Sequence, residues 1–281
     1  MNDSSKLYVE HVVPERFKYL RPYCSELIRL GNQGDGGYVV SKRSVSDTKL
    51  LLSLGIEKNW SFDTEFLAFH SSGDISYIAC DRASGALAFL EEGLRKLLTN
   101  RKNRIGPAKK LIKLAVGFLR LTPLHRRRSS RLFYRRWVRS EALDRRRDLD
   151  ISSLLSKCYS ISQFGVFIKM DIEGAEYELL PHILNFDSAN PGFYSGFCIE
   201  FHDIERREAE FMGLTQRLLD RYRCVNVHAN NAVEIRADFP DVVEISFERI
   251  NKDHRDFAEN SVSRSINTPN NSSRSEIYLT F

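Results

Sequence analysis

Asp171, Glu173, Glu200 and His202 are the residues of this chain best suited, by type and spacing, to move a proton. Asp171 and Glu173 follow an apolar run, Val166-Phe167-Ile168-Lys169-Met170, and Glu176 comes three residues later. The run is rich in β-branched and aromatic residues and suits a buried strand. Gly174-Ala175 suits a tight strand-to-helix turn. The acids then gather at the carboxyl end of a strand, the edge of an open α/β sheet where ligands bind. Glu200 and His202 close the next apolar run, Gly196-Phe197-Cys198-Ile199, in the same way, and His228 ends a third. A carboxylate or imidazole at such a position can take the proton of a hydroxyl acceptor. Alternatively, Asp171, Glu200 and His202 can hold a divalent cation that acidifies the hydroxyl. The plainer readings are acids favoured at a helix N-terminus by its dipole and a structural, hydrogen-bonded histidine. Glu176 lies a turn into the helix and reads as a brace for the turn.

The first half of the chain supplies elements to face this edge. Lys49-Leu50-Leu51-Leu52-Ser53-Leu54-Gly55-Ile56 reads as a central buried strand ending at a glycine. Ser61-Phe62-Asp63-Thr64-Glu65 opens a helix, with Ser61 as its cap and Asp63 and Glu65 in its first turn. Ile75-Ser76-Tyr77-Ile78-Ala79-Cys80 is the next strand and ends at Asp81. Strand, glycine turn, helix, strand, acid is the order of a nucleotide-binding βαβ unit, in which the acid bonds the ribose hydroxyls. Asp81 follows Gly55 by 26 residues, near the usual spacing of about 20. Upstream, Gly31-Asn32-Gln33-Gly34-Asp35-Gly36-Gly37 reads as a hairpin turn into a strand at Tyr38-Val39-Val40. It has neither a GxGxxG pattern nor a Walker lysine. Before it, the spacing of Phe17, Leu20, Leu27 and Ile28 predicts a helix over 14–30.

Downstream, Asp150 or Ser152 caps a short helix over 149–155. A second helix follows the Gly174 turn over 175–184, with Pro181 ending or kinking it. An amphipathic helix over 205–221 puts Phe211, Leu214 and Leu218 on one face. A strand over 222–228, a turn at Asn230-Asn231 and an antiparallel edge strand over 242–247 come next. Residues 259–275, rich in Ser and Asn, read as a mobile loop, and 277–281 as a closing strand.

At 281 residues and 42% hydrophobic content the chain can build a large core, which excludes global disorder. It reads as a single domain over 1–281. The net charge of +5 hides a split. Residues 95–147 hold 19 Lys and Arg against two acids, Glu141 and Asp144, while the rest carries 23 bases and 35 acids. An acidic body with a basic segment inside it points to an anionic partner. The segment reads as a basic helical insertion, a lid or surface-binding element, with a helix over 85–99 and an amphipathic stretch over 109–120. Basic and apolar residues over 108–139 suit an anionic membrane surface. Arg126-Arg127-Arg128 and Phe133-Tyr134-Arg135-Arg136-Trp137 suit nucleic acid less well, as an RNA clamp. A packed helix with a solvated basic face, or a site for a substrate phosphate, is the plainest alternative.

The longest apolar window, 111–124, is broken by Lys113 and Arg120, too short and too charged to span a bilayer. The first residues lack the apolar core of a secretory signal. Cys24, Cys80, Cys158, Cys198 and Cys224 are scattered and form no CxxC pair. They read as small buried hydrophobes of a reducing compartment. The expected location is cytoplasmic, with peripheral contact at the inner face of a membrane through the basic segment.

Ile168-Lys169-Met170-Asp171-Ile172-Glu173-Gly174-Ala175-Glu176 closely resembles the signature of the FkbM-type S-adenosylmethionine-dependent methyltransferases. The segment Leu149-Asp150-Ile151-Ser152-Ser153-Leu154-Leu155 resembles the one that precedes it there. Asp35-Gly36-Gly37-Tyr38, Ser53-Leu54-Gly55-Ile56, Ser61-Phe62-Asp63 and Val227-His228-Ala229-Asn230-Asn231 are similar to motifs of a methyltransferase-like branch of that family. The likeness covers residues 28–82 and 149–248 and leaves out the basic segment. It implies a Rossmann-like class I methyltransferase fold, a mostly parallel seven-stranded sheet with one antiparallel strand near the C-terminus. It also implies S-adenosyl-L-methionine as cofactor. By this resemblance Gly55 lets the cofactor approach and Asp81 holds its ribose. Asp63 or Asp35, the latter beside Gly36, meets the methionine amino group, and Asp171 borders the same cleft. The activity implied is O-methylation of a carbohydrate, nucleotide-sugar, lipid-linked glycan or related polar metabolite. RNA methylation, or a non-catalytic scaffold at a membrane surface, are the alternatives.

Overall fold

The computed structural model describes residues 8–23, 25–57, 59–70, 74–82, 131–250 and 266–281. The chain enters through strand β1 (Tyr8–Val12) and a 3₁₀ turn (Glu15–Leu20). The helix expected over 14–30 is reduced to that turn. Pro22 disfavours a helical Arg21, which takes ψ 121° instead. An antiparallel hairpin of β2 (Leu27–Gly31) and β3 (Gly37–Ser41) follows, with Gly31 opposite Gly37. Ser41 caps the short helix α1 (Lys42–Ser46).

Next come β4 (Leu50–Leu54), α2 (Ser61–Phe69) and β5 (Ser76–Cys80). Ser61 is not the cap of α2; Trp60 holds that position without a side-chain cap. The Ser61 hydroxyl is turned toward Asn59 and the Gly36 carbonyl, where it ties α2 to the hairpin turn. Residues 83–130, with the helix expected over 85–99 and most of the basic segment, lie outside the described residues. The described end of that segment is extended rather than helical, as β6 (Arg131–Tyr134) and β7 (Trp137–Arg139). Strand β6 pairs in parallel with β5. Phe133 and Tyr134 therefore belong to the sheet, where aromatic residues fit a pleated, half-buried surface.

Strand β8 (Asp148–Asp150) pairs with β7 and leads into α3 (Ile151–Ile161). Asp150 caps this helix, accepting the Ser153 N–H at 2.8 Å. The chain continues through β9 (Val166–Met170), α4 (Glu176–Ala189), β10 (Tyr194–Phe201), α5 (Glu208–Leu219), β11 (Tyr222–Ala229), β12 (Val243–Arg249) and β13 (Glu276–Thr280). Pro181 does not end α4. Burial of the flanking Leu179, Leu180 and Ile183 outweighs the one backbone bond it removes.

Seven strands form one sheet in the order β11-β12-β10-β9-β4-β5-β6. Strand β12 is antiparallel to both its neighbours, and the other pairs are parallel. This is the α/β, Rossmann-like arrangement of a class I methyltransferase fold. Strand β12 is thus an interior strand, not an edge. Its alternation arises because Glu244, Ser246 and Glu248, though polar, are buried like Val243, Ile245 and Phe247. Strands β1 and β13 pair as a separate parallel ribbon.

One face of the sheet lies under α3, α4 and α5 and is apolar, with Leu52, Ile168, Met170, Phe197 and Phe211 in its core. The other is covered by the β2–β3 hairpin and α2, where Tyr38, Phe62, Phe66 and Phe167 pack. Each fully buried side chain of this size contributes about 1.5–3 kcal/mol. Cys80, Cys158, Cys198 and Cys224 are buried and unbridged, and Cys24 is outside the described residues. Among the described residues, no helix is long and apolar enough to cross a membrane. In the Ser- and Asn-rich stretch, 251–265 lies outside the described residues. Residues 266–275 are held in place: Asn271 donates its N–H to Asn231 at 2.7 Å, and the Asn226 and Asn267 amides bond each other.

Candidate functional site

The strand order reverses between β4 and β9: β5 and β6 extend the sheet one way, β9 and β10 the other. Ligands bind outside the carboxyl ends of strands at such a switch point. A cavity of about 720 Å³ opens there, within the range of small-molecule sites. Asp35, Gly36, Gly55, Asp81, Asp171, Glu173, Glu200 and His202 all line it. Asp63 is not among the lining residues. It is a buried residue of α2, where its carboxylate accepts the Tyr77 hydroxyl at 3.0 Å.

Gly55 has φ +75°, and a Cβ there would meet the Asp171 carbonyl oxygen at 1.6 Å. The demand for glycine thus comes from the chain itself, where the ends of β4 and β9 touch. Across the cavity, Asp81 Oδ2 accepts the backbone N–H groups of Ile56, at 2.9 Å, and of Glu57. The acid at the end of β5 is therefore pinned to the turn that follows Gly55.

The acidic pole is built from three strand ends. Lys169, on β9, is 3% exposed. Its ammonium donates to the Gly55 carbonyl and to Asp171 Oδ2, the latter at 3.2 Å. Burial opposes the Lys169 charge, but Asp171, Asp63 and Glu200 outweigh it and raise its pKa. Burial likewise disfavours the Asp171 charge; Lys169, His202 and the Tyr38 hydroxyl reverse that and hold its pKa below the ordinary value. Glu200 goes the other way. Burial, with the charges of Asp171 and Glu244, pushes it up to about 8. Tyr38 Oη lies 2.9 Å from Asp171 Oδ2 and 3.2 Å from Glu200 Oε2. One phenolic proton serves only one of these contacts. A proton on Glu200 completes the other. Asn230 donates to Glu200 Oε1 at 2.8 Å.

His202 stands over the pair. Its Nε2 is 3.8 Å from Glu200 Oε1, 4.0 Å from Asp171 Oδ1 and 3.7 Å from the exposed Glu173 Oε2. Its Nδ1 is 3.2 Å from Glu176 Oε1, which also accepts the Ile172 N–H. Glu176, fully buried, thus braces the turn and orients the imidazole. Burial lowers the basicity of His202; Glu176, Glu200 and Asp171 more than restore it, to about 9. Glu173 sits at φ +56°, a strained region for a non-glycine residue. His228 is not part of this pole. It is sealed under the sheet between Glu244 and Glu276.

Asp171, Glu200 and His202 offer atoms within 4.8 Å of one another. The chain already supplies them with donors, however, and a cation would share Asp171 with the Lys169 ammonium. The set fits proton handling better than cation binding. Tyr38, Lys169 and Asn230 were not among the residues expected from sequence. A lone lysine inside a buried strand was a readable signal, since such a charge needs a carboxylate. Tyr38 stood in the sequence as the last residue of the motif Asp35-Gly36-Gly37-Tyr38, which gave no sign of its role. Arg82, Arg136 and Arg139 also line the cavity, with Trp137 between them, and Arg139 pairs with Glu178 at 3.7 Å.

No family model and no curated protein sequence matches this chain. Among solved structures, it is similar to a chain of a fibrillarin/Nop5p complex, with 11% identity over 73% of this chain and 74% of that one, TM-score 0.34. It is similar to precorrin-6y C5,15-methyltransferase from Geobacter metallireducens, with 11% identity over 74% and 86%, TM-score 0.33. A putative class I S-adenosylmethionine-dependent methyltransferase from Listeria monocytogenes shows 7% identity over 83% and 62%, TM-score 0.35. At these distances the likenesses carry no argument of their own. The fold assignment rests on the strand order.

Proposed function

We propose that this chain is an S-adenosylmethionine-dependent O-methyltransferase of the FkbM type, acting on a hydroxyl of a carbohydrate or related polar metabolite. The observation that carries the reading is the linked set Asp171–Tyr38–Glu200 at the switch point, facing Asp81 across one cavity. Asp81 would hold the ribose, the turn after Gly55 would pass under the cofactor, and Asp35 with Gly36 would border its amino-acid end. The bound cofactor supplies an activated methyl group, so the chain need only position the acceptor and take its proton.

Asp171 is the group kept ionised, by Lys169, and open to the cavity. It accepts a hydrogen bond from the acceptor hydroxyl and takes its proton as the oxygen attacks. The Tyr38 hydroxyl can hand its own proton to Glu200 while receiving the one on Asp171. Glu200 is therefore the store at the inner end of the chain. His202, as an imidazolium, offsets the negative charge that gathers on the two carboxylates. Activity should then rise with pH as Glu200 empties through about 8. Arg82, Arg136 and Arg139 in the cavity lining support an acceptor that carries phosphate, such as a nucleotide-sugar or a lipid-linked glycan.

Calorimetry with S-adenosylmethionine tests the first step, and no binding would sink the reading. Asp171→Asn should bind the cofactor normally and lose turnover by roughly 10²–10⁴-fold. Unchanged turnover on any accepted substrate would remove Asp171 from the mechanism.

A further inference from the structure

A second set of buried charges stands behind the site. Glu200 on β10, Glu244 on β12 and His228 on β11 are direct cross-strand partners in the antiparallel register. They therefore lie in one row on the same face of the sheet. All three are buried, at 5%, 3% and 2% exposure. The row continues into the C-terminal strand. His228 Nδ1 is 3.0 Å from Glu244 Oε2, and its Nε2 is 2.8 Å from Glu276 Oε1 on β13. Both ring nitrogens face carboxylate oxygens, an arrangement that favours the imidazolium: Glu244 and Glu276 outweigh burial and raise the ring's pKa to about 9.

The consequence falls on Glu200. Like charges directly opposite on neighbouring strands repel, and two buried carboxylates sharing a site do not both ionise readily. Glu244 has its compensation: His228 on one side, Asn270 donating at 2.6 Å, and Arg29 within electrostatic reach. Glu200 faces Asp171, Lys169, His202, Tyr38 and Asn230 on the cavity side and Glu244 on the other. Of the opposed pair, Glu200 is the one pushed toward its protonated form.

Resting on the methyl-transfer reading above, we infer that Glu244, His228 and Glu276 are positioning residues for the active site. Anchored by the C-terminal strand, they hold the proton on Glu200 and so set when the Asp171–Tyr38–Glu200 chain can accept another. None of the three lines the cavity. Their charge bears on Glu200 first and, through Glu244, also on Tyr38 and Asp35. Strand β13 belongs to the separate ribbon with β1, so the ribbon is tied to the chemistry through one histidine.

The test reads Glu200 directly, without turnover. In the full chain carrying ¹³C-labelled glutamate, the Glu200 carboxyl signal is assigned by its loss in Glu200→Gln and followed against pH. Its midpoint should lie near 8. In Glu244→Gln the midpoint should fall by roughly one unit or more, since one like charge has been removed. In Glu244→Asp it should stay near the original value. An unmoved midpoint in a folded Glu244→Gln protein overturns the proposal. Ring ¹⁵N shifts of His228 in the unaltered chain give a second check that no misfolding variant can spoil. An imidazolium at pH 7 supports the row, and a neutral ring overturns it. Neither measurement uses the cofactor. A chain that shows both effects but binds no S-adenosylmethionine keeps the charge row and loses the methyl-transfer reading. Where turnover is measurable, Glu244→Gln should also shift its pH profile downward by the same amount while leaving the plateau in place.

Discussion

The two faces of the central sheet are built on different physics. Under α3, α4 and α5 the strands present Leu52, Leu54, Ile168, Met170, Ile199 and Phe201, packed against helix residues such as Leu154, Leu180 and Phe211. Burial there is non-directional, and any side chain of the right volume contributes. Toward the β2–β3 hairpin the same strands present Lys169, Glu200, His228, Glu244, Ser246 and Glu248, all nearly inaccessible. Each is there only because a particular partner meets it. Glu248 accepts the Ser25 and Ser41 hydroxyls and pairs with Arg43, and Ser246 donates to the Val39 carbonyl. A slip of one residue in β12 would turn Glu244 and Glu248 toward the helices. Both faces bury apolar side chains, but the hairpin face adds to its own apolar cluster a set of partnered polar groups that makes the packing specific and carries the site.

The largest expected effects test that contrast directly. Phe211→Ala, which empties a fully buried aromatic position on the helix face, should cost about 3–5 kcal/mol in urea unfolding. Glu248→Ala, on the other face, should cost about 3 kcal/mol, because it strands the Arg43 guanidinium and two hydroxyls. Size-matched swaps separate the faces. Leu180→Met should lose less than about 1.5 kcal/mol. Glu248→Gln, nearly the same shape, should lose more, since it gives up charge-assisted bonds worth roughly 1.5–3 kcal/mol. Equal losses for the two swaps would erase the distinction between the faces.

The same contrast explains how much was legible in the sequence. The helix face announces itself in the sequence: the spacing of Phe211, Leu214 and Leu218 gives α5, and the continuous apolar runs at Leu50-Leu51-Leu52 and Val166-Phe167-Ile168 give the central strands. The strand ends bearing Gly55, Asp81, Asp171, Glu200 and His202 were also readable, because each is an apolar run that stops at a glycine or an acid. The polar face was not. Tyr38 meets Glu200 across 162 positions, and Ser41 meets Glu248 across 207. Periodicity reports which face a residue takes but not which partner waits there. For that reason the alternation of Val242 to Phe247 read as an edge strand.

The pH dependence of stability between neutral and alkaline pH should come chiefly from the polar groups of the hairpin face and the site. His202 and His228 both have pKa values raised to about 9. Burial opposes the charge on His228, and Glu244 and Glu276 outweigh it. The folded chain thus binds these protons more tightly than the unfolded chain, and their contribution is complete below pH 6.5 and lost as pH rises through 9. Glu200 has the same sign. Its carboxyl, raised to about 8 from 4.5, stays protonated when folded, so its contribution is complete below 4.5 and lost as pH rises through about 8. Asp171 opposes the trend only in acid, where its lowered pKa makes protonation costly. The unfolding free energy should therefore fall between pH 6 and 9.5, on the order of a few kcal/mol. A flat profile over that range would show that the buried carboxylates and imidazoles carry ordinary pKa values. His228→Gln should flatten part of the slope, whereas Phe211→Ala should lower the whole curve without changing its shape.

The smallest effect is the most local. Asp150 caps α3 by accepting the Ser153 N–H at 2.8 Å, three residues along the chain. The helix buries Ile151, Leu154, Leu155 and Cys158 on the apolar face. Asp150→Ala should cost about 1 kcal/mol, and Asp150→Ser only a few tenths, since serine also caps well. Among the described residues the cap has no hydrogen-bond partner from the hairpin face, so its loss should add to that of Glu248→Ala without coupling. A double variant whose loss departs from the sum by more than about 0.5 kcal/mol would mean that the two faces communicate through the sheet. In that case the division of labour between an adaptable apolar layer and a partner-specific polar one would be less complete than their packing suggests.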